Sequence, residues 1–279
     1  MPLITLTSDY GSRDHFASAL KALIYQYSGQ THIIDISHHI STFKVQEAAA
    51  ILLFSRTYFP ENSVHIVCVD EYPQRHNPTT SSRILAGYVE GHYYISADNG
   101  FLGYINFHNT TAKVVELPVD TNDRGTWRPH TLAKAAAALV QHADLSQIGY
   151  DPGLYLAPEF PQPFYRNNDT ILVAKVIYID EFGNIVTNIH KRYFEKALQR
   201  SSFEIIIRNN TIRQLISSYD DLKTFQNGDA FALFNASGFL ELGLVNSANV
   251  HQPRGYARSL GADKLLGVKL NDTITIQFQ

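Results

Sequence analysis

The N-terminal part of the chain alternates between short apolar segments and helix-like segments, and this alternation most restricts the fold. Residues 3–7, 32–36 and 63–69 have the length and apolar content of strands. Between them, apolar residues recur at helical spacing over residues 16–24, and residues 46–54 are rich in Ala. Strands that alternate with helices predict a mainly parallel sheet covered by helices.

A hairpin and a further helix complete this first part. Residues 84–89 and 92–96 are apolar segments on either side of Glu90-Gly91, a pair that favours a tight turn. Residues 131–142 are rich in Ala and predict a helix.

The second part of the chain has a different pattern. Residues 151–169 hold four of the eleven prolines, which indicates a semi-rigid linker. Short strand-like segments and turns follow, apart from one helical segment at 192–199, and they favour an antiparallel barrel or sandwich. We therefore predict an α/β N-terminal domain with a mainly parallel sheet and helices, a Pro-rich linker, and a smaller β-barrel-like C-terminal domain. The predicted limits are 1–155, 156–169 and 170–279.

Charge and cysteine content exclude several functions. With 23 Lys and Arg against 26 Asp and Glu, the net charge is −3, so we expect no nucleic-acid partner. Cys68 is the single cysteine, which excludes a disulfide within the chain and a Cys-based zinc site. Apolar runs are too short to span a membrane and no signal peptide is evident, so we expect a cytoplasmic protein without a membrane partner. No metal or cofactor motif occurs, and we predict neither.

Two carboxylates follow predicted strands. Asp9 comes after the first strand and Asp70 after the third. In open α/β sheets, ligands bind beyond the carboxyl ends of the strands. Asp9 there can accept hydrogen bonds from both hydroxyls of a ribose, although the local sequence alone favours a turn or helix-capping role. Asp70, with Arg75 in the following loop, can orient a water or an anion, or form a surface ion pair.

Other candidate residues lie in turns and before a helix. Asp180 and Asn184 stand in one turn of the second domain, and Ser237 stands in another. These turns either present polar groups to a ligand or simply connect strands. Trp127 precedes the Ala-rich helix beside basic residues, and it can be a ligand wall or a core anchor.

Five segments, in order, resemble one protein family. They are ITLTSDYGSRDHFASALKALI, DISHHISTFKVQEAAAILL, ISADNGFLGYI, VIYIDEFGNIVTNI and NASGFLELGLVN. They resemble the S-adenosylmethionine hydroxide adenosyltransferases, relatives of the fluorinating and chlorinating enzymes that use the same substrate. The resemblance implies an α/β domain followed by a β-barrel domain. It also implies a homotrimer in which the substrate lies between the N-terminal domain of one chain and the C-terminal domain of its neighbour.

The resemblance also implies an activity and a set of binding residues. The expected reaction is hydrolysis of S-adenosyl-L-methionine to adenosine and L-methionine, by attack of water or hydroxide at the ribose C5′. Each predicted binding residue matches a family motif: Asp9 for the ribose hydroxyls, Trp127 for the ribose wall, Asp180 for the ammonium, Asn184 for the adenine or methionine end, and Ser237 for the carboxylate.

The catalytic positions depart from the family pattern. The hydrolytic members use an Asp, an Arg and a His, with the Arg seven residues after the Asp. Here Asp70 is kept, Arg75 follows five residues later, Arg128 stands at the His position, and His130 lies two residues beyond. We predict these four as the catalytic residues. Two alternatives stay open: a protein that binds an adenosyl ligand without turnover, and an enzyme that uses another nucleophile at C5′. Asp70 makes halide a weaker candidate, because the halogenase version of this loop contains Tyr.

Overall fold

The computed structural model describes residues 3–72, 74, 82–108, 110–123, 127–195, 202–247 and 260–279. The chain divides into two compact units, Met1–Glu159 and Phe160–Gln279. Each unit has a hydrophobic core of its own.

The first unit contains a six-stranded sheet in the order β2-β1-β3-β5-β4-β6. Strands β2, β1, β3 and β5 are parallel neighbours, and only β4 runs in the opposite direction. The predicted mainly parallel sheet with helices is therefore confirmed. The strands are β1 (Ile4–Ser8), β2 (Ile33–Ser37), β3 (Val64–Cys68), β4 (Ile84–Val89), β5 (His92–Ala97) and β6 (Lys113–Leu117). The helices are α1 (Phe16–Ser28), α2 (Val45–Ser55), α3 (Phe101–Ile105) and α4 (Pro129–His142).

Burial explains how these segments form the sheet and its helical cover. Strand β3 is buried along its whole length, as expected of a central strand that is covered on both faces. Helix α1 buries Leu20 and Ile24, which are four residues apart and therefore on one face, and it packs against α4. Helix α4 begins with Pro129, which removes one of the N–H groups that a helix start leaves unpaired, and the N–H groups of His130 and Thr131 donate to the Asp123 carboxylate.

The predicted hairpin is confirmed as β4 and β5. Glu90 and Gly91 connect the two strands, and both have left-handed backbone angles, with φ of 46° and 88°. Two consecutive positive φ values are the geometry of a type I′ turn, whose twist matches that of the paired strands.

The second unit is an antiparallel sheet in the order β11-β10-β14-β8-β9-β13-β12, with β7 also paired to β8. Strands β11 and β12, at the two ends of this path, contact each other, so the sheet is a nearly closed barrel. The predicted barrel-like domain is confirmed. Its strands are β7 (Phe164–Arg166), β8 (Ile171–Ile179), β9 (Ile185–His190), β10 (Phe203–Ile207), β11 (Asn210–Ile212), β12 (Ala230–Phe234), β13 (Phe239–Leu244) and β14 (Thr273–Phe278). Short helices α5 (Lys191–Glu195) and α6 (Ala262–Leu266) complete it.

None of the helices in the described ranges is long and apolar enough to cross a membrane.

Candidate active site

The carboxyl ends of β1 and β3 bring Asp9 and Asp70 together. The two strands pair directly, with Ser8 opposite Cys68, so the residues that follow them are neighbours. The Asp9 carboxylate oxygen Oδ2 accepts hydrogen bonds from the Phe43 N–H at 3.0 Å and the Asp70 N–H at 3.4 Å. Backbone donors thus fix one oxygen of Asp9 at the sheet edge where ligands of open α/β sheets bind.

Asp70 is buried and has a left-handed backbone, with φ of 49°. Asn99, just after β5, stabilises this turn: its Nδ2 donates to the Val69 carbonyl at 2.8 Å and to the Asp70 carbonyl at 3.3 Å. The ends of three adjacent strands, β1, β3 and β5, therefore converge on Asp70.

Glu71, the next residue, takes part in a chain of hydrogen bonds. The Tyr10 hydroxyl donates to Glu71 Oε2, and the Trp127 indole N–H donates to the Tyr10 hydroxyl at 3.0 Å. Phe16 lies edge-on to Trp127 with ring centroids 5.2 Å apart, and it packs against Tyr10 at 5.4 Å. Trp127 is thus held by both a polar contact and an aromatic cluster at this edge.

Burial determines the pKa values of the hydrogen-bonded groups around Glu71. It raises the pKa of Glu71 to about 7; the negative charge of Asp9 adds to this rise, while the Tyr10 hydrogen bond and the Arg128 charge oppose it. Burial also raises the pKa of Tyr10 and that of Cys68 well above their ordinary values, so both stay protonated at neutral pH. Of Tyr10, Cys68 and Glu71, only Glu71 therefore changes charge near neutral pH.

The remaining predicted catalytic residues are placed differently. The Arg128 guanidinium donates to the Ser82 carbonyl, and to the Ser82 hydroxyl at 3.2 Å, close enough to Glu71 for their charges to interact. The His130 Nδ1 lies 2.7 Å from the Tyr27 hydroxyl of α1, and its ring packs edge-on against that of Tyr27. His130 therefore joins α4 to α1. Arg75 lies outside the described residues.

A polar contact under the Asp9 turn was not expected from the sequence. The Ser8 hydroxyl lies 2.7 Å from His38 Nδ1, and His38 Nε2 lies 3.1 Å from Asp35 Oδ1. Burial alone would raise the pKa of Asp35, but the Lys21 hydrogen bond and the His38 charge outweigh burial and lower it. These contacts join the ends of β1 and β2 beneath the turn.

In the second unit, Asp180 and Asn184 form one hydrogen-bonded turn. The Asn184 backbone N–H donates to Asp180 Oδ1 at 2.8 Å, and its side chain Nδ2 donates to Asp180 Oδ2 at 3.0 Å. Both residues line a cavity of about 670 Å³, together with Phe182, Tyr219 and Glu241. This volume lies in the range of small-molecule sites.

Glu241 forms the buried polar wall of that cavity. It accepts hydrogen bonds from the Tyr219 hydroxyl and, at 3.4 Å, from Asn235 Nδ2, and burial raises its pKa. Ser237 does not line this cavity. It lies in the adjoining β12–β13 turn, where its N–H donates to Asn235 Oδ1 at 3.1 Å.

Sequence reasoning missed four residues of these two groups: Tyr10, Glu71, Tyr219 and Glu241. Tyr10 and Glu71 had a signal, since each directly follows a predicted strand-end Asp, and Glu241 stands in the last of the five family-like segments. Among the described residues, no group of three or more His, Cys, Asp and Glu could hold a metal ion. The first unit also has a mostly apolar cavity of about 380 Å³ between Leu117 and Ile148, which none of the predicted site residues lines.

Two family models match the chain. The model for the SAM hydroxide adenosyltransferase N-terminal domain matches residues 4–149, and the model for the C-terminal domain matches residues 174–275. The chain belongs to the SAM hydroxide adenosyltransferase family. The family identified from sequence motifs is thereby confirmed.

Relatives of this chain match it over most of its length. An (R)-S-adenosyl-L-methionine hydrolase of Methanocaldococcus jannaschii is 28% identical over 257 residues, which are 87% of this chain and 88% of the relative. A fluorinase of an Actinoplanes species is 26% identical over 225 residues, covering 70% of this chain and 74% of that enzyme. The crystal structure of a conserved protein from Thermotoga maritima superposes with a TM-score of 0.79 at 23% identity, covering 99% of this chain and 100% of that one, and shows the same fold.

Proposed function

We propose that the protein hydrolyses S-adenosyl-L-methionine to adenosine and L-methionine. The observation that carries this proposal is the match of both family domains, together with the meeting of Asp9 and Asp70 at adjoining strand ends. Water or hydroxide attacks the ribose C5′, and the C5′–S bond breaks. The electron pair of that bond returns to sulfur, so the positive sulfonium leaves as neutral methionine.

The geometry of the first unit supports two parts of this reaction. Backbone N–H groups hold one carboxylate oxygen of Asp9. The other oxygen can accept a hydrogen bond from a ribose hydroxyl. Asp70, held in place by the Asn99 bonds to the strand end, orients the nucleophile in line with the C5′–S bond. If hydroxide is the nucleophile, opposite charges on substrate and nucleophile are lost in the step, so a water-poor site favours it.

The second unit supplies groups that suit an amino acid. Asp180 provides a carboxylate for the methionine ammonium, and Asn184 provides an amide held rigidly by that same carboxylate. We place the methionine part of the substrate at the Asp180 cavity. The role of Ser237 for the methionine carboxylate and that of Trp127 as a ribose wall stay predictions.

The assembly and the location also belong to this proposal. The family resemblance supports a homotrimer with sites formed between subunits, no cofactor beyond the substrate, and a cytoplasmic enzyme. These points stay predictions.

Chromatography of the products tests the proposed function. Purified protein incubated with S-adenosyl-L-methionine is expected to release adenosine and methionine in equal amounts. The variant Asp70→Asn should lose turnover at least about 100-fold while calorimetry still detects substrate binding. Asn tolerates the left-handed backbone of this position, so the variant should fold. Absence of adenosine with the intact protein, or unchanged turnover in Asp70→Asn, would contradict the proposal.

The fluorinase relative makes halide a second nucleophile worth adding to the same assay. Formation of 5′-chloro- or 5′-fluoro-5′-deoxyadenosine in place of adenosine when chloride or fluoride is added would favour transfer to halide over hydrolysis.

A further inference from the structure

The two carboxylate oxygens of Glu71 have different surroundings. Oε2 accepts the hydrogen bond of Tyr10, which is itself held by the Trp127 indole N–H. Among the described residues, Oε1 accepts no hydrogen bond. One oxygen is therefore anchored, and the other is available to a small molecule at the sheet edge.

A small cavity lies against Glu71. Its volume is about 10 Å³, about the size that holds one water. The polar residues around it are Glu71, Tyr72, Ser82 and Arg128, and the apolar wall includes Val67, Ile84 and Leu132. A buried water needs two to four polar partners, and a carboxylate, a guanidinium and a hydroxyl provide them.

Two of the residues predicted as catalytic are poor proton acceptors for this water. Arg128 stands at the position of the family's His, but a guanidinium has no acceptor and stays protonated. His130 contacts Tyr27 of α1 and does not line the cavity. The catalytic positions therefore lack the histidine that the family pattern supplies. Glu71 is a further carboxyl at the same strand end as Asp70.

We propose that Glu71 is the general base that accepts the proton of the nucleophilic water, while Arg128 and Ser82 hold that water in the cavity. This inference rests on the proposed hydrolysis. As the water oxygen bonds to C5′, the C5′–S electron pair goes to sulfur. One water proton moves to Glu71 Oε1 and later leaves to solvent. Substrate cation and water thus give adenosine, neutral methionine and one proton.

The electrostatics agree with this role. A base works best when its pKa is close to the working pH, and the pKa of Glu71 is about 7. The titratable and charged groups that face Glu71 are Asp9 and Tyr10 after β1, Cys68 in β3, and Arg128 before α4. Tyr72 lines the same cavity. Tyr10 and Cys68 stay neutral near pH 7, while Asp9 raises and Arg128 lowers the pKa of Glu71.

The variant Glu71→Gln tests the proposal, because it keeps the acceptor for Tyr10 and removes the base. We expect kcat for adenosine formation to fall about 100-fold or more, with the dissociation constant for S-adenosyl-L-methionine changed less than about twofold. In the intact enzyme, kcat should rise about tenfold per pH unit below pH 7 and level off above it, and this inflection should disappear in Glu71→Gln. The matched control Glu61→Gln, at an exposed site, should behave as the intact enzyme.

A readout that needs no turnover accompanies the kinetics. The infrared band of a protonated carboxyl should titrate with a midpoint near pH 7 in the intact protein and be missing in Glu71→Gln. If the intact protein forms adenosine and Glu71→Gln keeps its rate and pH profile, the role of Glu71 is wrong and hydrolysis stands. If the intact protein forms no adenosine, the proposed function fails and the role of Glu71 fails with it.

Discussion

At the scale of single residues, the buried carboxyl of Glu71 makes stability depend on pH. Its pKa is about 7 in the folded protein against an ordinary value of 4.5, so the folded state binds a proton that the unfolded state releases between these values. The contribution of Glu71 to stability is therefore fully present below pH 4.5 and is lost as the pH rises through about 7.

Glu71→Gln should remove this dependence. At pH 8 we expect the variant to be more stable than the intact protein by up to about 3 kcal/mol, since each pKa unit corresponds to about 1.4 kcal/mol. At pH 4 the two proteins should have the same free energy of unfolding. Urea unfolding at both pH values measures this, and a difference that is equal at pH 4 and pH 8 would count against a raised pKa.

The sequence predicted some residues of the site and could not predict others. Asp9 and Asp70 were found because they directly follow strands, and the edge of a parallel sheet is where such residues meet. The surroundings of Glu71 include the hydroxyl of Tyr10, which is 61 positions away in the chain. This hydrogen bond forms only once β1 and β3 have paired, so the sequence did not predict it. His130 stands two residues from a family position, and only the packing of α4 on α1 directs it to Tyr27.

At the scale of elements, helix α3 packs tightly against the chain segment before residue 159. A Cβ atom on Gly103 would lie 2.3 Å from the Pro158 carbonyl oxygen and 2.4 Å from the Ala157 carbonyl carbon. Both are backbone atoms, which cannot turn away as a side chain can. Glycine is therefore required for this contact.

Gly103→Ala should lower the free energy of unfolding by about 3 kcal/mol, because helix and segment must separate. Gly153→Ala is the control: no atom lies within 4 Å of its Cβ position, and only the backbone strain of φ +60° applies, about 1 kcal/mol. Calorimetric melting of both variants measures the difference. Equal losses would show that the contact between Gly103 and residues 157–158 does not hold.

Elements with a strong pattern were predictable and short ones were not. Strands β1, β2 and β3, helices α1, α2 and α4, and the Glu90-Gly91 hairpin all follow from apolar spacing and turn residues. Helix α3 has five residues, fewer than the pattern of helical spacing needs. Strand β6 lies at the edge of the sheet and is only partly buried, so its pairing with β4 decides that it is a strand.

At the scale of the whole molecule, the two units have separate cores. Phe194 is fully buried in the second, with its ring edge-on to those of Phe203, Phe234 and Phe278 at 5.0, 5.5 and 5.7 Å. Leu20 is buried in the first. The sequence indicated two domains from a change of pattern, and the domain limits 1–155 and 170–279 with a linker at 156–169 stay a prediction.

Phe194→Ala should cost about 3–5 kcal/mol, and Leu20→Ala about 2–5 kcal/mol. Hydrogen exchange should show lost protection mainly in β8 and β14 for the first variant, and mainly in β1 and β3 for the second, because each side chain packs only in its own core. The same loss in both units for either variant would mean that they unfold as one cooperative body.

The single cysteine has a practical consequence. Cys68 is buried at the end of β3, opposite Ser8 and two residues before Asp70, and burial keeps its thiol protonated. A thiol reagent can therefore react only when this strand end opens. The rate of modification then measures how often the strand ends that carry Asp9, Asp70 and Glu71 open locally. Because Cys68 is buried, it reacts slowly with labelling reagents. A cysteine introduced at an exposed position will therefore be labelled selectively with a spectroscopic probe.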